Sequence, residues 1–204
     1  MTPTKLKLPA AERRAAIVDT AVEMFARLGF RGVTTRELAA AVGVSEPVLY
    51  QHFATKQALY DAILEERLAH LDPAGQAELD ALDASGDIRA YLTRLAEMIL
   101  GWYLTDPRYI RLLMFSALDG HELAQMFYER RVAIYYDLLT RYLERQMEAG
   151  RVRRMEPLLA ARTFTGMVSH QGLIYSVYIP GELAGSPEDV VRGVVDIFLN
   201  GMAL

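Results

Sequence analysis

The side chains best suited to chemistry lie in one run, Thr34 to Lys56, with the sequence TTRELAAAVGVSEPVLYQHFATK. They do not make a catalytic set. Gln51 carries an amide that pairs with an adenine edge, and the methyls of Val48 can meet a thymine methyl. Tyr50, His52 and Lys56 cluster behind them and are donors of the kind that hold phosphate oxygens. The chemistry these types share is non-covalent recognition of a nucleic-acid duplex.

Such groups act together only if a helix presents them. Thr34 and Glu37 have the spacing of a capping box, which starts a helix ending near Val42–Gly43. Ser45 is expected to cap the next helix, with Pro47 in its first turn, where a missing N–H costs nothing. That helix runs to about Phe53. Two short helices about three residues apart have helix-turn-helix spacing. Gly43, in the turn, supplies a backbone state that other residues resist. Ala39, Val44 and Leu49 are small or apolar where the two helices must pack. Ser45, Glu46, Pro47, Val48 and Gln51 are then left facing outward, and a recognition helix reads the major groove from its N-terminal residues. Spacing alone fits an ordinary solvated helical hairpin equally well.

Ile17, Val18, Ala21, Phe25 and Leu28 mark one face of a preceding helix, about 10–28, which Gly29 stops. A fourth helix starts near Thr55 and carries Leu59, Ile63, Leu64 and Leu68. Beyond a break at Asp72–Pro73 and Gly75, apolar periodicity predicts helices near 87–104, 107–118, 121–149, 157–178 and 187–202. Asp106–Pro107, Glu156–Pro157 and Ser186–Asp189 signal three of their starts. Residues 70–86 read as helix or ordered loop. The expected fold class is all-α: a three-helix helix-turn-helix domain over 1–54, with a basic tail over 1–8, and a larger helical domain over 55–204.

The chain has 204 residues, enough for one large domain or two modest ones, and its 52% hydrophobic and 24% charged residues fit a folded protein. With no cysteine, disulfides, thiolate zinc sites and cysteine nucleophiles are excluded together, and a reducing cytoplasm is expected. The net charge of −4 is unevenly spread. Residues 1–60 hold eight Lys/Arg and five Asp/Glu, while residues 61–204 hold fourteen and twenty-one. The start is therefore the part suited to approach phosphate. The most apolar stretch, Phe164 to Ile179, is interrupted by Ser169, His170 and Gln171, so no membrane span is expected. Lys5 and Lys7 have no apolar run after them, so neither is a secretory signal. His52, His70, His121 and His170 show no HExxH or other ligand spacing. No glycine-rich phosphate loop or nucleophile elbow occurs. No metal, cofactor or enzymatic activity is expected.

The helix-turn-helix run resembles the TetR family of regulators. The likeness covers roughly residues 10–60: AxxMFARLGFRGVTTRELAAAVGVS, then Leu49–Tyr50, His52–Phe53, and Lys56 followed by Leu59. The resemblance implies that Thr34, Thr35 and Arg36, at the start of the second helix, touch backbone or bases. Tyr50, His52 and Lys56 match the family's phosphate contacts. Many members carry a Lys/Arg–Gly pair where this chain has Glu46–Pro47, although Pro47 occurs in some. Glu46 either sets a negative charge near phosphate or accepts from a cytosine amino group. Lys5 and Lys7 form either a basic arm along DNA or a solvated tail.

Beyond residue 70 the resemblance is one of architecture. It implies a ligand-binding and dimerisation domain, with a central pocket and a dimer surface on the last two long helices, about 157–178 and 187–202. Phe164, Val168, Gly172, Tyr175, Val194, Ile197 and Phe198 are the expected dimer residues. Gly166, Ser169, Gly172, Ser176, Gly193 and Gly201 punctuate these helices, and glycine within a helix needs a reason such as close approach of a second subunit. Met98, Trp102, Met114, Phe115, His121, Phe127, Tyr135, Met167, His170 and Gln171 are the expected ligand contacts, with Tyr103, Met126 and Tyr136 in the same region and with His121, His170, Gln171 and Tyr175 as the candidate polar anchors. Aromatics and methionines suit a mostly apolar cavity with few polar anchors, and most of them suit an ordinary core as well. The partners so implied are double-stranded DNA with a palindromic operator, a small hydrophobic or aromatic effector and a second copy of the chain. A ligand-released repressor is the family's usual logic. The rival readings are a helical dimer without DNA binding and a helical enzyme.

Overall fold

The computed structural model describes residues 9–69, 73–120 and 122–202, and all regular structure among them is helical. The helices are α1 (Ala10–Leu28), α2 (Thr35–Val42), α3 (Glu46–His52), α4 (Lys56–Ala69), α5 (Pro73–Ser85), α6 (Ile88–Thr105), α7 (Pro107–Leu118), α8 (Glu122–Phe127), α9 (Ala133–Glu148), α10 (Pro157–Leu173) and α11 (Pro187–Met202). One π-helical turn, Tyr128–Val132, joins α8 to α9, and another, Ile174–Tyr178, extends α10. The all-α expectation holds, and the ambiguous 70–86 span contains a helix, α5. The basic tail over 1–8 and His121 lie outside the described residues.

Local chemistry accounts for the boundaries. The Glu37 N–H donates to Thr34 Oγ1 (3.2 Å) and the Thr34 N–H donates to Glu37 Oε2 (2.8 Å), completing the expected capping box. At the other end of α2, Gly43 is left-handed (φ 77°). Its N–H donates to the Ala40 carbonyl (3.1 Å) and the Val44 N–H to the Ala39 carbonyl (2.9 Å), a Schellman closure. Ser45 occupies the cap position of α3 with an extended backbone, but its hydroxyl makes no cap hydrogen bond. Pro47 in the first turn therefore carries the start of that helix. Asp87 caps α6 by accepting from the Ala90 N–H (2.9 Å), and Ser186 accepts from the Asp189 N–H (3.1 Å) at the head of α11.

Packing divides the chain into two compact units: residues 1–70 with 111–124, and residues 71–110 with 125–204. In the first, Ile17, Val18, Ala21 and Phe25 of α1 are buried with Leu38 and Ala39 of α2, Leu49 of α3, and Leu59, Tyr60 and Ile63 of α4. Leu28, on the same periodic face, is exposed in the turn that Gly29 ends. Residues 111–124 belong to this core: Tyr60 Oη donates to the Leu112 carbonyl (3.4 Å) and Arg111 Nε to the Ala26 carbonyl (3.3 Å). The second unit packs α6 against α5, α10 and α11, and α9 against α10, around Leu92, Leu95, Tyr142, Leu143, Phe164 and Val195. Tyr91 and Tyr142 stack there with ring centroids 3.7 Å apart.

Candidate nucleic-acid interface and ligand cavity

The turn at Gly43 and the packing of Ala39 against the α3 side leave the leading edge of α3 on the surface. Ser45, Pro47, Tyr50 and Gln51 are exposed, and Glu46, Val48 and His52 are half-buried. Thr34 and Arg36 are exposed and Thr35 half-buried at the head of α2. A hydroxyl chain links the two helices. Tyr50 Oη donates to Thr35 Oγ1 (3.3 Å), which donates to Glu46 Oε1 (2.8 Å). Tyr50 and Glu46 are thus oriented by Thr35, a contact that spacing did not reveal because it joins residues from two helices.

Lys56 is held differently from the simple phosphate donor expected. Its Nζ lies 4.1 Å from the Phe30 ring centroid, beside the Phe25–Phe30–Tyr60 aromatic cluster. Burial pulls its pKa down and the Glu37 carboxylate pulls it back up. Glu37 is itself held below its usual pKa, chiefly by the Thr34 hydrogen bonds and in smaller part by Lys56. Arg14 packs over Phe53, 4.4 Å from its centroid, bracing the end of α3.

Within the second unit a cleft opens between α6, the α8–α9 junction and α10, with about 580 Å³ of space, part of it open to solvent. It is lined by Met98, Ile99, Trp102, Tyr103, Phe127, Val132, Tyr135, Tyr136, Thr165 and Ser169, none of which bears a charge at neutral pH. Trp102 and Phe127 stack with centroids 5.0 Å apart. The π-helical turn explains how Phe127 and Val132 both reach the cleft. Residues five apart diverge by about 140° on an α-helix, but the wider i→i+5 turn brings them onto one face. The Ala133 N–H donates to the Tyr128 carbonyl in this wider pattern. Burial pushes the Tyr103 phenol pKa up, with a hydrogen bond to Ser169 opposing it, so the hydroxyl remains a donor at neutral pH.

The cleft collects four of the expected ligand contacts: Met98, Trp102, Phe127 and Tyr135. His121 is outside the described residues, and the other five lie elsewhere. Met114 is exposed and Phe115 packs beside Gly29, both in the first unit, because α7 changes units at Arg111. Met167 lines a separate groove with Met155, Thr163, Ile197 and Phe198. His170 is exposed, its ring 6.5 Å from that of Tyr178, and Gln171 is half-buried away from the cleft. The polar side chains on the cleft wall are instead Tyr103, Thr165 and Ser169. The sequence marks Ser169 only as a small residue and does not mark Thr165; the two are four residues apart, on the stripe of α10 next to the buried Phe164 and Val168.

The expected dimer residues need a larger correction. Phe164, Val168, Gly172, Val194 and Phe198 are buried in the core of their own protomer, covered by α6 and by each other's helices. A Cβ on Gly172 would stand 2.3 Å from Tyr103 Cγ, so this glycine serves internal packing. Apolar type identified these positions as buried but could not say by which molecule. Tyr175 is half-buried, while Ile197 is 66% exposed. Beside it on α11 and α10, Gly193, Gly201 and Gly166 have nothing within 4 Å of a built Cβ, and Leu159 is 55% exposed.

Among the described residues no group of three or more metal-ligating side chains occurs, and no helix is long and apolar enough to cross a membrane. Residues 17–63 match the family described as bacterial regulatory proteins, tetR family, and residues 88–201 match the C-terminal domain of AefR-like transcriptional repressors. The chain is 35% identical over 107 residues to the HTH-type transcriptional activator FasR of Mycolicibacterium smegmatis, covering 52% of this chain and 48% of that protein. It is 46% identical over 56 residues to the class C tetracycline repressor protein of Escherichia coli, covering 28% and 26%. The matched part thus spans about half of the first relative and a quarter of the second. Two solved structures share the fold. NalD, secondary repressor of the MexAB-OprM multidrug efflux pump in Pseudomonas aeruginosa, has a TM-score of 0.71 and 20% identity, covering 96% of this chain and 98% of that one. AibR in complex with isovaleryl coenzyme A and operator DNA has a TM-score of 0.68 and 22% identity, covering 91% and 97%. With its N-terminal helices matching one of these descriptions and more than half of its length matching the other, the chain belongs to the TetR family of bacterial regulatory proteins.

Proposed function

We propose that the protein is a ligand-responsive, sequence-specific DNA-binding transcriptional regulator, a repressor released by a small hydrophobic or aromatic molecule, and not an enzyme. The observation that carries this reading is the exposed leading edge of α3, braced by α2 and flanked by Arg36, Tyr50 and Lys56. Repression is favoured by the repressor names of the C-terminal family and the tetracycline relatives, although FasR is named an activator. Residues 1–54 are assigned to DNA binding and 55–204 to ligand binding and dimerisation, in the cytoplasm and without a cofactor. The DNA contacts are Thr34, Thr35, Arg36, Ser45, Glu46, Pro47, Val48, Tyr50, Gln51, His52 and Lys56.

A homodimer on a palindromic operator follows from one recognition helix per chain, since two helices about one DNA turn apart read a two-fold site. Ile197, Leu159 and the unfilled glycines 166, 193 and 201 support a dimer face on α10 and α11. Glycine in a helix costs about 1 kcal/mol against alanine, and nothing within the protomer calls for it at these three positions. The effector fits the uncharged aromatic cleft at Trp102. The chain passes between the DNA-reading unit and the cleft-bearing unit after α4 and at both ends of residues 111–124, and these crossings are the proposed route of the effector's influence.

The test is a mobility shift with duplexes from upstream of the protein's own gene, across a salt series. The wild type should bind with a steep salt dependence. Lys56→Ala should weaken binding to every sequence and reduce the salt slope by about 1, whereas Gln51→Ala should change sequence preference. No binding at low salt rejects the regulator reading and leaves a helical dimer without DNA binding.

A further inference from the structure

We propose that Glu46 reads DNA bases and selects cytosine in each half of the bound site; this deepens, and rests on, the DNA-binding reading above. Glu46 opens α3, where its Oε1 accepts from Thr35 Oγ1 (2.8 Å), and Thr35 in turn accepts from Tyr50 Oη (3.3 Å). Two hydroxyls in series therefore hold an acceptor-only carboxylate at the leading edge of the helix. No basic side chain among the described residues pairs with it.

Set against DNA, such a group is repelled by every phosphate. It is tolerated only if the duplex supplies it with a donor, and in the major groove the donors are the N4 amino group of cytosine and the N6 amino group of adenine. Adenine sets its N7 acceptor beside N6, and that lone pair opposes a carboxylate. Guanine presents N7 and O6, and thymine presents O4 and a methyl, so neither offers a hydrogen. Cytosine alone presents a donor with no acceptor on its own edge. Guanine or thymine would leave the carboxylate desolvated and unpaired, and adenine would set its N7 lone pair against it, which is a stronger basis for rejection than a lost apolar contact. Thr35 and Tyr50 are positioning residues here: they fix the rotamer of the reading group.

The experiment is selection of duplexes from a random-sequence library by the full-length chain at low salt, for the wild type, Glu46→Gln, Glu46→Ala and Thr35→Val, with melting temperatures measured alongside. The wild type should select cytosine at one position in each half-site, and any other base there should weaken binding at least about fivefold. Glu46→Gln should move that preference to adenine, which a glutamine pairs through N6 and N7. Glu46→Ala should leave the position indifferent, and Thr35→Val should keep cytosine while lowering affinity. If Glu46→Ala melts early, Glu46→Gln, similar in size and able to accept from Thr35, carries the result alone. Unchanged preference in a folded Glu46→Gln variant overturns the inference and leaves Glu46 as a tie between α2 and α3. Duplexes selected without a cytosine overturn it too, with DNA binding intact. A wild-type chain that retains no duplex overturns both the inference and the regulator reading.

Discussion

Tyr142 is fully buried, and its hydroxyl has no hydrogen-bond partner among the described residues although its ring stacks on Tyr91. An unsatisfied buried hydroxyl costs about 1–3 kcal/mol relative to a paired one, so removing it should cost nothing. Tyr142→Phe keeps the stack and should melt at or above the wild-type temperature; a clear drop would show that the hydroxyl has a partner. Burial pushes the phenols of Tyr60 and Tyr91 up to about 12, while the unfolded chain ionises near 10. The folded state therefore favours the protonated form. This contribution is whole below pH 10 and is lost as pH rises from about 10 to about 12, at roughly 1.4 kcal/mol per pH unit for each tyrosine. Denaturant midpoints should hold steady up to pH 9.5 and fall steeply beyond 10. A flat profile to pH 11.5 would mean that these rings are hydrated.

At the level of elements, α10 must approach α6 at Gly172 and has no such need at Gly166. A Cβ at 172 would strike the root of the Tyr103 ring, which cannot swing away as a flexible tip would, whereas at 166 it meets open space. Gly172→Ala should cost about 1–3 kcal/mol through overpacking and should disturb the cleft through Tyr103. Gly166→Ala should be neutral or stabilising in a monomer by up to about 1 kcal/mol from helix propensity. Thermal denaturation of the two variants separates these outcomes. If Gly166→Ala destabilises only at concentrations where the chain is dimeric, the glycine serves the second subunit.

For the whole molecule, Trp102 is the single tryptophan of the chain, and it lines the cleft. Any occupant should alter its emission directly, which reports effector binding without DNA. Linkage then fixes a second result. An effector that lowers DNA affinity by some factor must have its own affinity lowered by the same factor when operator DNA is present. Unequal factors would show that one of the two ligands also changes the assembly state. Ile197→Lys should place a charge in the proposed α10–α11 dimer face. The expected outcome is a monomer by sedimentation and at least a tenfold loss of affinity for a two-half-site operator, on the order of 1.4 kcal/mol. A dimer of normal stability would move the interface elsewhere.

Sequence alone settled what depends on neighbours along the chain. Thr34 with Glu37, Gly43, Pro47, Glu156 and Ser186 mark helix ends because capping and turn chemistry act over a few residues, and the period of apolar side chains marked α1, α6, α10 and α11 as amphipathic or buried. The family likeness rests on that same local run. What the chain could not show was which molecule buries an apolar face, and which of many aromatics meet around a space. Phe164, Val168 and Phe198 turn inward and Phe115 packs with α1 because burial is a property of surfaces brought together from distant segments. The tie from Tyr50 through Thr35 to Glu46 depends on the angle at which α2 and α3 cross, and the shared aim of Phe127 and Val132 depends on a widened turn. A one-dimensional pattern carries neither, since periodicity records a residue's direction around its own helix and not what it finds there.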